Sequence, residues 1–186
     1  MSKPLKYGLF LFVLLTIVAV LLTLVNSFTA PVIEANRMKE VSVQLKELDP
    51  DSQFKDLTND YTLPKGIDNV YGGYVNDELV TVVYLTTTVG YSSGDVKVLT
   101  AIDVDAKKII DTKVTLADKQ TVGIGDAILT HNFQTANKKV SDYADIIPGN
   151  LDSPEFQIIS GATVSSRAFL TGVQLASKHF MENFGG

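Results

Sequence analysis

The 186 residues include Lys+Arg 16 and Asp+Glu 21, a formal net charge of -5, so no basic stripe is present to neutralise nucleic-acid phosphates. Cysteine is absent and His131 and His179 are the only histidines, which excludes disulfides, thiolate catalysis, iron–sulfur clusters and Cys-based zinc sites. The length suits one moderate domain with an anchor.

From Tyr7 to Ile33 no residue is charged, and Leu9 to Val25 is an almost unbroken run of Leu, Val, Phe and Ile. A helix over Tyr7 to Phe28 would span ~33 Å at ~1.5 Å per residue, about the ~30 Å thickness of bilayer hydrocarbon. It reads as a transmembrane helix. The competing reading is a cleaved signal peptide, but the run exceeds an h-region and Ala30 is followed by Pro31, a poor cleavage junction. Lys3 and Lys6 precede the helix without acidic neighbours, whereas Glu34, Arg37, Lys39 and Glu40 after it are mixed in sign. The positive-inside bias therefore expects residues 1–6 in the cytoplasm, residues 7–28 in the membrane and the rest outside the cell.

Pro31 can open a second helical segment, in which Met38, Val41, Leu45 and Leu48 form an apolar stripe until Asp49-Pro50-Asp51 ends it. Residues 29–48 are expected as an amphipathic juxtamembrane helix lying on a domain of residues 49–186, with a partner-binding helix as the alternative. Strands follow. Val70 to Val75, Leu79 to Val89, Asp95 to Val104 and Lys107 to Leu116 are rich in Val, Ile, Thr and Tyr, with turns at Asn76-Asp77 and Asp105-Ala106. Such short connections favour a mainly antiparallel sheet, and helices before and after it make the fold class α+β. Tyr71, Tyr74 and Tyr84 read as core or sheet-face residues, with Tyr91 the best candidate for ligand stacking. Asp51, Asp56, Asp60, Asp111 and Asp118 read as solvated charges.

Gln120-Thr121-Val122-Gly123-Ile124-Gly125 precedes a short helix expected over Asp126 to Leu129. Glycines two apart let a backbone approach a planar or anionic ligand, although they also suit an ordinary turn. The loop lacks the third glycine of a dinucleotide fingerprint and the lysine of a Walker loop. Further on, Phe156 to Ile159 reads as a short buried strand and Ser160-Gly161 as a sharp turn. A helix is expected from Thr163, where Phe169, Val173, Ala176 and Phe180 recur at helical spacing. A fresh helix N-terminus offers unpaired N–H groups and the positive end of the dipole to an anion. The Ser and Thr residues there serve equally well as caps, so the phosphate reading and the cap reading both stand on local grounds.

The order of an N-terminal membrane helix, Gly90-Tyr91, a Thr-x-Gly-x-Gly loop and a late Ser-Gly-Ala-Thr resembles the FMN-binding domain family. Within it the likeness is to the G subunits of Rnf electron-transport complexes, and more distantly to the C subunits of sodium-translocating NADH:quinone oxidoreductases. The resemblance implies FMN joined covalently through its phosphate to Thr163 by a flavin transferase. It places Ser160, Gly161, Ala162, Val164, Ser165, Thr121, Gly123, Gly125, Gln120 and Tyr91 around the cofactor. It further implies a redox-carrier subunit that docks against integral-membrane and flavin-bearing subunits of an ion-translocating, ferredoxin:NAD+ type complex.

This chain departs from the family pattern at two positions. Gln120 stands where Glu is usual and Gln157 where the attachment motif begins with Asp, and each change removes a negative charge. Val122 replaces a proline. Two further readings stay open: a membrane-anchored flavoprotein passing electrons to an extracellular acceptor, and a flavin-free assembly or binding module of the same fold, for which the two Gln replacements are the main support.

Overall fold

In a computed structural model, residues 3–147 and 157–185 are described. The chain divides into two compact units, Met1–Gln44 and Leu45–Gly186.

Helix α1 runs from Lys3 to Leu48. The sequence pattern predicts two segments broken near Pro31, whereas the helix is continuous: one proline removes a single main-chain donor, and the long flanks of good helix formers retain the rest of the ladder. Within it, Tyr7–Ser27 is long and apolar enough to cross a membrane. Its side chains are exposed throughout, among them Phe10, Phe12, Leu15 and Leu22. The hydroxyls in and beside this span are satisfied inside the helix, with Thr16 donating to the Phe12 carbonyl (2.8 Å), Thr23 to Ala19 (2.9 Å) and Thr29 to Val25 (2.8 Å). That arrangement spares these hydroxyls the need for water.

The second unit is built on a five-stranded antiparallel meander of β1 (Gln53–Asp56), β2 (Ile67–Val75), β3 (Glu78–Val89), β4 (Asp95–Asp103) and β5 (Lys108–Ala117), in that spatial order. The four longer strands agree with the sequence pattern to within three residues at each end. The edge strand β1 has no such signal, because four residues with mostly exposed side chains carry no apolar period. Asn76 and Asp77 both take positive φ, 51° and 64°, as a two-residue hairpin requires. The middle of β3 is buried on both faces, with Val82, Val83 and Tyr84 all at 0% exposure, so its residues need not alternate apolar and polar.

Helix α2 (Val140–Ala144) is short, and α3 (Thr163–Phe184) closes the fold. Phe169, Val173, Ala176 and Phe180 are buried as their spacing predicts. Contact with the sheet is close: a Cβ on Gly172 would come within 2.7 Å of Thr86 Oγ1 and 3.2 Å of Val98 Cγ2. The Thr88 hydroxyl donates to the Ala168 carbonyl (2.8 Å). Phe133 stacks on Phe169 with ring centroids 3.8 Å apart. The segment before α3 corrects one expectation. Residues 157–159 are irregular rather than a buried strand, with Ile158 exposed and Gln157 and Ile159 half-buried, because the Ile159 N–H is taken by the Ser166 hydroxyl (3.1 Å) instead of a neighbouring strand. Phe156, the first residue of that expected strand, lies outside the described residues.

Candidate functional site at the amino end of α3

Three connections meet at one end of the sheet: the β3–β4 turn carrying Tyr91, the loop after β5, and the turn entering α3. The chain enters this unit at the other end, where Asp49 accepts hydrogen bonds from Ser52 (2.6 Å) and from Thr81 near the start of β3 (2.7 Å). Thr81 and Val89 are separated by eight residues of strand, about 26 Å at ~3.3 Å per residue.

Gly161 makes the entry turn possible with φ of +80°, a left-handed conformation costly for any residue with a Cβ. The residue at the N-cap of α3 is Ala162, whose side chain cannot cap. The first main-chain bond of the helix is Ser166 N–H to the Ala162 carbonyl (2.9 Å). Among the described residues, the N–H groups of Thr163, Val164 and Ser165 have no partner. The hydroxyls nearby are unequally engaged. Ser165 is buried and donates to Gln120 Oε1 (2.7 Å), and Ser166 is buried and accepts from Ile159. Thr163 is half-buried, makes no side-chain hydrogen bond among the described residues, and lines a cavity. Of the two local readings, this one favours the anion site, since no serine or threonine here caps the helix.

The cavity, of about 270 Å³, is lined by Tyr91, Thr121, Ile124, Gly125 and the run Gly161 to Ser165. It therefore brings together most of the residues singled out in the sequence. Ile124 is an addition, an apolar residue whose only signal was its place between the two glycines. Gly123 is not part of the lining: its φ of +75° turns the loop, and a Cβ there would meet nothing within 4 Å. Ser160 is exposed beside the cavity, outside its lining. Tyr91 is 52% exposed, in contrast to the buried Tyr71 and Tyr84, while Tyr74 lies beneath the Lys55 ammonium at 4.6 Å.

Gln120 sits under the cavity at 8% exposure. Its Oε1 accepts from Ser165 and from Tyr91 N–H (3.1 Å), and its Nε2 donates to the carbonyls of Asp118 (2.7 Å) and Tyr91 (3.3 Å). Glycines flank this amide. A Cβ on Gly90 would lie 2.9 Å from Gln120 Nε2, and one on Gly125 would lie 3.1 Å from both Gln120 Cβ and Ser165 Oγ. The Thr121 carbonyl accepts from Ile124 (3.1 Å) and Gly125 (2.7 Å), closing the loop over the amide.

A flavin phosphate fits this arrangement. The unpartnered N–H groups of Thr163, Val164 and Ser165 and the positive end of the α3 dipole belong to the cavity lining, and among the described residues no carboxylate side chain does. Residues 90–178 match the sequence profile of the FMN-binding domain family, a span that holds Tyr91, the Gln120 loop and Thr163 together. The resemblance drawn from the motifs is thus shown over residues 90–178. Over 92% of its length the chain is also 28% identical to the G subunit of the Na(+)-translocating ferredoxin:NAD(+) oxidoreductase complex of Acetobacterium woodii, covering 88% of that protein.

Proposed function

We propose that this protein is a membrane-anchored electron carrier holding FMN as a phosphoester on Thr163, within a multi-subunit oxidoreductase of the ferredoxin:NAD+ type. The observation that carries the reading is the free Thr163 hydroxyl, set in a cavity beside the uncapped N-terminus of α3. In the attachment step, Thr163 Oγ1 forms a bond to the FMN-side phosphorus of FAD as the bond to AMP breaks, and the hydroxyl proton leaves with AMP. A separate flavin transferase catalyses this step. The N–H groups of Val164 and Ser165 would then hold the ester phosphate, and Gly125 and Gly161 would let the backbone approach it. Tyr91 offers a half-exposed ring face at the mouth. Bound there, FMN supplies one-electron transfer, which no side chain of this chain provides.

The anchor in this reading is Tyr7–Ser27, with residues 1–6 in the cytoplasm and the FMN-binding domain outside the cell. The partners are integral-membrane and flavin-bearing subunits. Co-expression of the full chain with a flavin transferase tests the proposal: the intact mass should rise by one FMN, and a denaturing gel should show a fluorescent band under ultraviolet light. An unmodified mass and a dark band would refute covalent attachment.

A further inference from the structure

We propose that Gln120 is the positioning residue of this site, and that it must be a neutral amide: it sets the distance between the ring of Tyr91 and the first turn of α3. The inference rests on the flavin reading above for its functional consequence, but its structural half stands alone.

Hydrogen-bond geometry makes the case. The orientation of a side-chain amide is ordinarily an assignment, yet here the main chain determines it. Tyr91 N–H can only donate and the Asp118 carbonyl can only accept, so Oε1 must face the first and Nε2 the second. With Ser165 and the Tyr91 carbonyl the amide makes four bonds, to three separate segments of chain. An ionised carboxylate accepts only, and in this place it would direct a charged oxygen at the carbonyls of Asp118 and Tyr91. A Glu side chain could keep at most three of the four bonds, and only by holding a proton. Burial and two facing carbonyl dipoles would therefore raise its pKa above the usual carboxylate range. Gly90 lies against the amide and Gly125 against the Gln120 Cβ, so closely that a Cβ added at either would come within 2.9 Å and 3.1 Å of them, respectively.

The clamp acts on ligand geometry through its ends. Ser165 lies two residues beyond Thr163 in the first turn of α3, and Tyr91 lines the same cavity. Loosening Gln120 would leave both side chains present but let their separation vary, which would alter the environment of a flavin held between them.

The test uses the full chain in detergent, as wild type, Gln120→Glu, Gln120→Ala, Ser165→Ala and the double Gln120→Ala/Ser165→Ala variant. Thermal unfolding of the unflavinylated proteins is followed from pH 4.5 to 8.5, and the flavin midpoint potential of the loaded proteins over the same range. Gln120→Glu should unfold near the wild-type temperature at the acid end and several degrees lower at the alkaline end. Its potential-against-pH curve should show an added break absent from the wild type. The double variant should lose little more than Gln120→Ala alone, since both remove one network. Superimposable pH profiles for Gln120→Glu and wild type, or fully additive losses in the double variant, would overturn the clamp. Wild-type protein that never acquires flavin would instead refute the flavin reading, while the unfolding arm still decides the role of Gln120.

Discussion

The Ser165 hydroxyl donates to Gln120 Oε1 at 2.7 Å, and so binds the first turn of α3 to the loop after β5. This engagement leaves Thr163 as the free hydroxyl that α3 contributes to the cavity lining, and the first prediction follows from that difference. Thr163→Ala should abolish the fluorescent band, whereas Thr163→Ser should retain some attachment because a hydroxyl remains. Ser165→Ala should still carry flavin. Intact-mass spectrometry of the three proteins distinguishes the site, and a band persisting in Thr163→Ala would move the attachment elsewhere.

Gly125 is confined by the same pair. Its added Cβ would stand 3.1 Å from Ser165 Oγ and Gln120 Cβ, both buried, so Gly125→Ala requires this hydrogen-bonded pair to give way. Overpacking of this kind costs about 1–3 kcal/mol. Urea denaturation should show a lower midpoint, and flavin yield should fall with it. By contrast Gly123→Ala has free space around it, and its cost should come from the +75° backbone alone.

Phe169 lies on the buried face of α3 and stacks on Phe133. Truncation to Ala removes that contact and leaves a cavity, an effect of about 3–5 kcal/mol for a buried aromatic residue. Denaturant unfolding of Phe169→Ala should report a loss in that range. A loss below about 1 kcal/mol would show that Phe169 is not packed against Phe133 in this way.

His179 gives the fold an acid sensitivity. It is 3% exposed, its Nδ1 lies 3.2 Å from the Tyr84 hydroxyl, and the rings of Tyr61 and Tyr84 pack edge-on to it at 5.9 Å and 5.5 Å. Burial holds its pKa below the usual value, against the opposing pull of the Glu182 carboxylate and a Thr62 backbone hydrogen bond. Asp60 lines the hollow beside it. Since the folded pKa is depressed, the unfolded chain binds the proton first. Stability is therefore fully present above about pH 6.5 and is lost as pH falls through that value toward the folded pKa. Thermal unfolding should drop between pH 7 and pH 5 in the wild type, and less in His179→Gln. Equal slopes would remove His179 as the cause.

Much of the fold was legible because it rests on local rules. The 3.6-residue period of Phe169, Val173, Ala176 and Phe180 encodes the buried face of α3, and Asn76-Asp77 encodes a hairpin whatever the strands beside it do. Where tertiary context outweighed local pattern, the reading failed. The expected strand ending at Ile159 did not form, because an apolar run becomes a strand only if a neighbour pairs with it, and here a serine side chain took the main-chain donor.

By itself the sequence determined the apolar helix, the antiparallel meander, the order of the motifs and the candidate hydroxyls, since each follows from residue type and spacing. Only the tertiary structure decided which hydroxyl is free, that Ala162 leaves α3 uncapped, and that Gln120 lies beneath the cavity with its amide fully used. The reason is physical: the availability of a hydroxyl or an N–H depends on the partners it meets. For Ser165 that partner stands 45 residues away in the chain, beyond the reach of any local pattern.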